Sequence, residues 1–336
     1  MQPRGPGCSF FRRHANFYDR PTAGNIIGYD MTKALAGRAF LLLAALVSGS
    51  HAATAASQTV FPTADAAANA LLTALASGDY SLLGSVAGPQ TARVWSGPGQ
   101  AKEVWDRERF VETARRKGLQ AGPLTSSRSM VYAGDLKEPF PAPLIRTETG
   151  WQFDDEAGSR ELLGRRMRRN EIAVIEICQR FREAQYEFFA IPREGVSSFA
   201  MKIRSTPGQH DGLYWSDPGA EDESPMGPPF AAAAYTERQP GDGTRPLFGY
   251  YYKILPAQGR DAAGGALDYR TKGQLRKGFA LIAWPAEYGV DGTVSFLINH
   301  FGDLFRKDLG AETSRIVDQM TAFNPDRSWS KINVPD

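Results

Sequence analysis

Arg165-Arg166-Met167-Arg168-Arg169-Asn170-Glu171 runs without a break into Ile172-Ala173-Val174-Ile175-Glu176-Ile177-Cys178-Gln179-Arg180-Phe181-Arg182-Glu183-Ala184-Gln185-Tyr186-Glu187-Phe188-Phe189. Val174, Ile177, Cys178, Phe181, Ala184 and Phe188 recur at three- and four-residue spacing, which gathers them on one face of a helix. Glu176, Arg180, Glu183 and Glu187 fall largely on the other side, and Glu176 precedes Arg180 in the order that favours an ion pair. Ile172, Ile175 and Phe189 widen the apolar stripe and predict cover on more than one side; Pro192 stops the helix. The stretch is expected to be the spine of the second half of the chain and its hinge from the first. The basic run ahead of it has two readings. One is a solvated helix face or a clamp between domains. The other is contact with an anion or phosphate through Arg165 and Arg166, because a guanidinium suits bidentate recognition of such groups.

The chain has 336 residues, enough for about two domains of roughly 100–200 residues each. Hydrophobic content of 42% and charged content of 23% are those of a globular protein. A net charge of +2 gives no electrostatic case for nucleic acid, and none is expected as a partner. Two cysteines cannot build a disulfide scaffold.

Residues 31–55 read as a signal peptide. Lys33 and Arg38 form its basic start, Ala39-Phe40-Leu41-Leu42-Leu43-Ala44-Ala45-Leu46-Val47 its apolar run, and Ser50-His51-Ala52 or Ala53-Thr54-Ala55 its cleavage site. The apolar run is shorter than the ~20 residues of a membrane span. A periplasmic or secreted protein is therefore expected, with no transmembrane segment after cleavage. Because Met31 opens a signal of normal layout, residues 1–30 are expected to be a spurious extension. Cys8 would go with them and leave Cys178 alone, on the buried stripe of the helix, where packing is the expected role.

In the first half, Thr63 and Asp65 ahead of Ala67, Leu71, Leu72 and Leu75 predict an N-capped helix ended by Gly78, with a further helical turn over 79–84. Pro89 and Ser96-Gly97-Pro98-Gly99 predict loops. Residues 103–117 predict a helix, with Glu112 and Arg116 four apart and Gly118 as its stop. Met130-Val131-Tyr132-Ala133 predicts a strand. Leu144-Ile145-Arg146 and Trp151-Gln152-Phe153 around Gly150 predict a hairpin. In the second half a short helix is expected over 196–204 and an irregular segment over 216–245. Strand-like runs at 250–255, 279–284, 294–298 and 304–306, separated by glycine-bearing turns, predict an antiparallel meander, closed by a helix over 313–322.

Walker loops, zinc-protease helices, nucleophile elbows, paired cysteines and nucleotide fingerprints are absent from the sequence, and no metal or cofactor is expected. Past residue 55 the histidines are His210 and His300. His300 sits in Asn299-His300-Phe301-Gly302-Asp303, a turn between strands. His210-Asp211 could shuttle protons, and Tyr214-Trp215 could form a stacking platform for sugar or peptidoglycan fragments. The plainer reading is that Tyr214 and Trp215 anchor a long loop whose turn is Asp211-Gly212. Ser205 lacks a strand-to-helix elbow, and Asp217, Glu221, Asp222 and Glu223 miss the calcium-loop spacing.

Several motifs together resemble an exported bacterial family catalogued as domain of unknown function 2950. They are Asp154 to Arg169 with Asn170-Glu171, Ser205-Thr206-Pro207-Gly208 with Asp211-Gly212-Leu213-Tyr214-Trp215, and Ser224-Pro225-Met226-Gly227-Pro228. Gly249-Tyr250-Tyr251, Gln258-Gly259, Gly278-Phe279-Ala280-Leu281, Tyr288-Gly289 and Lys307-Asp308-Leu309-Gly310 complete the set. The resemblance implies no activity, and this chain has Arg168 where that family usually has glycine. Ala74-Leu75-Ala76-Ser77-Gly78-Asp79 and Gly150-Trp151-Gln152-Phe153 resemble the cystatin-like cone of the nuclear-transport-factor-two superfamily. Asn170-Glu171, Ala184-Gln185-Tyr186 and the run from Gly249 to Phe296 resemble the globular part of pseudopilins and type IV pilins, without the apolar helix that builds a filament.

The expectation is an α+β protein with a small cystatin-like helix and sheet domain over 56–157 and a pilin-like long helix on a meander over 158–336. A non-catalytic module of the cell envelope is favoured, binding an envelope protein or polysaccharide. Residues 205–229 would be its contact loop, with Arg165, Arg166, Tyr214 and Trp215 as contact residues. The alternatives are a hydrolase of envelope material using His210 and Asp211, and an accessory of a secretion or pilus system.

Overall fold

The computed structural model describes residues 58–97, 101–135, 137–193, 195–216, 223–234 and 245–333. The expected signal peptide, the expected extension, Cys8, Pro98, Gly99, Asp217, Glu221 and Asp222 lie outside them. The fold is α+β, as the patterning predicts.

The first half opens with helices α1 (Ala64–Ser77), α2 (Tyr80–Ala87), α3 (Pro89–Ser96) and α4 (Ala101–Lys117). Thr63 caps α1 by accepting from the Ala66 N–H, and Gly78 closes it in the left-handed region at φ 70°. Asp79 caps α2 by accepting from the N–H groups of Ser81 and Leu82 at 2.8 and 3.2 Å. Pro89, expected in a loop, is instead the first residue of α3, where a helix has no use for the missing N–H.

Strands β1 (Leu119–Pro123), β2 (Arg128–Ala133), β3 (Glu138–Pro139), β4 (Leu144–Arg146) and β5 (Trp151–Phe153) follow. They form an antiparallel sheet in the order β1-β2-β4-β5, with β3 on β2. The β4–β5 hairpin lies where the sequence places it. Leu71, Trp95, Phe110, Phe140 and Phe153 meet in the core of this half. Phe140 is at its centre, with ring centroids 5.4 Å from Trp95, 5.9 Å from Phe110 and 5.7 Å from Phe153.

Helix α5 (Asp155–Ala190) has 36 residues and starts well before the basic run. Its N-cap Asp154 accepts from Ala157 N–H at 2.9 Å. Asp155 reaches back to cap α3, accepting from Gln90 and Thr91 N–H at 3.1 and 2.7 Å. Leu162 packs against the first core, whereas Val174, Cys178, Phe181, Ala184 and Phe188 are buried in a second. Burying a side chain such as Phe181 stabilises by about 1.5–3 kcal/mol. Ile175 and Phe189 widen the stripe as expected, but Ile172 is 61% exposed. Arg180 pairs with Glu187 at 2.8 Å and Glu183 at 3.6 Å rather than with Glu176. A bond from Arg180 to the Pro225 carbonyl at 2.6 Å holds the guanidinium on that side.

Past α5, β6 (Lys202–Arg204) and β7 (Gly212–Tyr214) form a short parallel pair. The helix expected over 196–204 does not form. Ile203 alone is buried between exposed Lys202 and Arg204, the alternation of a strand, and Phe199 bridges to Leu275. After α6 (Pro228–Ala232) comes the meander: β8 (Tyr250–Leu255), β13 (Ala280–Pro285), β14 (Val294–Asn299), β15 (Leu304–Asp308) and β16 (Ser330–Ile332). Each strand lies antiparallel to the next in that order. Two-residue pieces β9 (Ala257–Gln258), β10 (Leu267–Asp268), β11 (Arg270–Thr271) and β12 (Gln274–Leu275) fold the connection between β8 and β13. Every residue of β13 is buried, so both its faces are covered, and both α5 and α7 (Thr313–Asp318) pack against it. Helix α7 is shorter than expected: Lys253 donates to the carbonyls of Val317 and Asp318 and closes its last turn. Among the described residues no helix is long and apolar enough to cross a membrane.

Candidate functional site

The loop after β6 is held from within. Asp211 accepts from Lys202 Nζ at 2.5 Å, from Thr206 N–H at 2.7 Å and from Thr206 Oγ1 at 2.9 Å. Desolvation disfavours its charge, but the bonds from Lys202 and Thr206 outweigh that and hold the carboxyl below its ordinary range. Ser205 Oγ accepts from Gly212 N–H at 2.9 Å. The His210 ring stacks on Trp215, with centroids 4.4 Å apart and planes 11° apart. Trp215 itself is buried, with the Arg193 guanidinium 5.7 Å from its ring. Tyr214 is half-buried in β7. The structure thus brings His210 and Trp215 together, whereas Asp211 is engaged by a lysine and a threonine and Tyr214 lies in β7.

The other motif residues meet at a seam beside α5. Asn170, fully buried, donates from Nδ2 to the Asp291 carbonyl at 2.8 Å. Gly249, at φ 72°, lies so close that a Cβ there would stand 2.6 Å from Asn170 Nδ2. Tyr250 donates to the Val294 carbonyl at 2.9 Å. Burial raises the Glu171 carboxyl above its ordinary value, against the pull of Arg306 and the Thr293 N–H. Asp291 is raised likewise, by burial and by the charges of Glu287 and Glu103, against the Glu287 N–H and Arg166. Further along α5, Gln185 is fully buried and clamps both backbone groups of Ala200, and Tyr186 donates to the His300 carbonyl at 2.9 Å. Gln258 donates to Ala263 and Gly265 and accepts from Tyr269. Cys178 is fully buried, and burial pushes its thiol up to about 12, which makes it packing rather than a nucleophile. His300 Nδ1 is buried without a hydrogen-bond partner, and burial lowers the affinity of the ring for a proton.

The basic run opens onto a cleft of about 370 Å³ between α4, α5 and the β3 segment. Arg165, Arg166 and Arg169 line it from α5, and Arg107 and Arg109 from α4. Three carboxylates, Glu103, Asp106 and Glu138, share the lining and Glu161 pairs with Arg165 from beside it, so one positive charge is in excess. Glu103 accepts from Arg166 at 3.1 Å and from Arg169 at 3.0 Å, and Arg169 also reaches Asp106 at 3.2 Å. Glu103 and Arg166 are 11% and 16% exposed, so this pair is largely out of water. Arg109 pairs with Glu138 at 2.8 Å and lies over Trp105; Arg165 pairs with Glu161 at 2.7 Å. Arg165 and Arg109 are 37% and 50% exposed at the mouth. Carboxylates thus hold the guanidinium planes in place while the outer arginines keep donors open to solvent.

The contact residues expected from the sequence, Arg165 and Arg166, both line this cleft; Arg169, Glu103 and Arg109, which line it too, were not among them. The signal was the acid pair Glu103 and Asp106 on one face of the preceding helix, which only the packing of α4 on α5 sets opposite the basic run.

Among the described residues no group of three or more histidine, cysteine, aspartate or glutamate side chains could hold a metal ion. No curated protein and no solved structure matches the chain, so the likenesses to the cystatin-like cone and to pseudopilins rest on the motifs alone. A family described as "Protein of unknown function (DUF2950)" matches residues 58–332. That span is most of the chain and carries every motif on which the resemblance to this family rests, and the protein belongs to the DUF2950 family.

Proposed function

We propose that this is an exported, non-catalytic binding module that recognises an anionic group, a phosphate or carboxylate of an envelope polymer or protein, in the arginine cleft between α4 and α5. The observation that carries the reading is an excess of positive charge in a cleft whose guanidiniums are already oriented, Arg166, Arg169 and Arg109 by Glu103, Asp106 and Glu138 and Arg165 by Glu161. Orientation before binding lowers the entropy lost when a ligand arrives, and a planar guanidinium matches carboxylate and phosphate oxygens. Non-catalytic is supported by the motifs: Asn170, Gln185, Asp211 and Gln258 tie backbone segments together. The segment over 205–229 is read as a second contact surface, with the His210–Trp215 stack in its described first part. The hydrolase alternative draws nothing from Asp211, whose oxygens are occupied by Lys202 and Thr206. The idea of a secretion or pilus accessory has no separate observation behind it.

Calorimetric titration with inorganic diphosphate tests the reading. Saturable binding is expected, weakened about tenfold or more by Arg165→Ala with Arg109→Ala, the loss of charge-assisted bonds, and unchanged by His210→Ala. Absence of binding, or equal binding by the arginine variant, would overturn it.

A further inference from the structure

A second cavity, of about 510 Å³, lies between α1, α2 and α4 and shares Trp95 and Arg107 with the arginine cleft. Its size falls in the range of small-molecule sites, on the order of 300–1,000 Å³. The floor is apolar: Leu75, Leu83 and Trp95 are buried there. Tyr80, which also lines the cavity, is 50% exposed.

The charges around this cavity differ from those of the cleft. Arg107 donates to the carbonyls of Trp95 and Gly97, and Arg115 donates to the carbonyl of Ala76 at 2.7 Å. Asp79 is taken up in capping α2. Glu108 and Glu112 are left over. They stand one turn apart on α4, both exposed, and neither has a hydrogen bond or ion pair among the described residues. The pair of Glu112 with Arg116 that the spacing suggested does not form. The bonds to carbonyls leave both guanidiniums charged, so three carboxylates against two arginines give the lining one negative charge in excess, with Glu108 and Glu112 over an apolar floor and beside an exposed tyrosine.

We propose that the cavity binds a small cationic amine with an apolar body. The ammonium sits between the carboxylates of Glu108 and Glu112 and beside the Tyr80 ring, combining charge-assisted hydrogen bonds with cation–π attraction. The apolar body lies on Leu75, Leu83 and Trp95. An apolar anion of the same size would meet a lining with one negative charge in excess. The site is independent of the arginine cleft and stands or falls separately from the function proposed for it.

Calorimetric titration of the folded protein with phenethylamine, and with hydrocinnamate as its anionic counterpart, decides the proposal. The wild type should bind phenethylamine saturably and hydrocinnamate not at all. Glu108→Gln with Glu112→Gln should weaken the amine about tenfold or more, as expected for losing contacts to a charged group, with an unchanged melting temperature because both side chains are exposed. Should the double variant fold poorly, each single glutamine variant carries the same prediction at about threefold, since removing one of two carboxylates leaves part of the attraction. Arg165→Ala should leave amine binding intact. Equal affinity for hydrocinnamate, no saturable binding of the amine, or unaltered affinity in the glutamine variants would each overturn the proposal.

Discussion

Gly249 sets the closest approach at the seam beside α5. Its φ of 72° belongs to the left-handed region, and an added Cβ would stand 2.6 Å from Asn170 Nδ2 and 2.8 Å from Asp291 Cβ. Gly249→Ala combines backbone strain with overpacking and should destabilise by about 2–4 kcal/mol, read as a lower denaturant midpoint. The neighbouring Asp291 carboxyl gives a pH signature. Its folded pKa is raised above the ordinary 3.8, so the folded state holds the proton over a pH window in which the unfolded chain has released it. The stability it contributes is present below the ordinary value and lost as pH rises through the folded value. Asp291→Asn can still accept from the Glu287 N–H, and should flatten that fall and leave the variant the more stable near neutrality. His300 has the opposite sign in a different window. Its lowered pKa gives stability that is present above the ordinary 6.5 and lost as pH falls. Denaturant midpoints of wild type and variant across both windows separate the two.

Helix α5 shows what the sequence makes legible at the scale of an element. Its second half announces itself by the stripe from Val174 to Phe188, every turn of which finds the core. Its first turns were hidden because Gly158 interrupts the helical pattern, and that glycine is there for a tertiary reason. A Cβ at 158 would stand 2.6 Å from Ala142 Cβ and 2.5 Å from Thr91 Oγ1. Helix α3 was read as loop because of Pro89; its N-terminus is capped from Asp155, distant in sequence and invisible to local patterning. Asp155→Ala should cost about 1–2 kcal/mol as a lost cap and should speed hydrogen exchange in α3 before α1. The parallel pair β6–β7 and the pieces β9 to β12 are too short to carry a period of their own. Their pairing is decided by what packs around them. The candidate site divides in the same way. Arg165 and Arg166 were visible as a basic run, but Glu103, which fixes Arg166 and Arg169, comes from another helix. Glu103→Ala removes the carboxylate that Arg166 and Arg169 share, with Arg169 keeping Asp106, and should destabilise by about 1–3 kcal/mol.

At the scale of the whole molecule, two hydrophobic cores share one helix. Leu162 belongs to the first, centred on Phe140, and Val174 to Phe188 belong to the second, around β13. The expected domain boundary after residue 157 falls in the first turn of α5, so a stress on one core is transmitted along a continuous backbone. Phe140→Ala should destabilise by about 3–5 kcal/mol. If α5 couples the cores, Trp95 and Trp284, one in each, should report the same midpoint in that variant. The same helix carries Arg165, Arg166 and Arg169 of the cleft and α4 carries Arg107 and Arg109, so the surface proposed to bind anions is built on two regular helices. The most direct measurement is nitrogen–proton NMR of the arginine Nε–H and tryptophan indole groups during titration with inorganic diphosphate. The account predicts saturable shifts at Arg165, Arg109 and Arg169 while the Trp215 indole stays still. Shifts centred on Trp215, or none at the arginines, would contradict it.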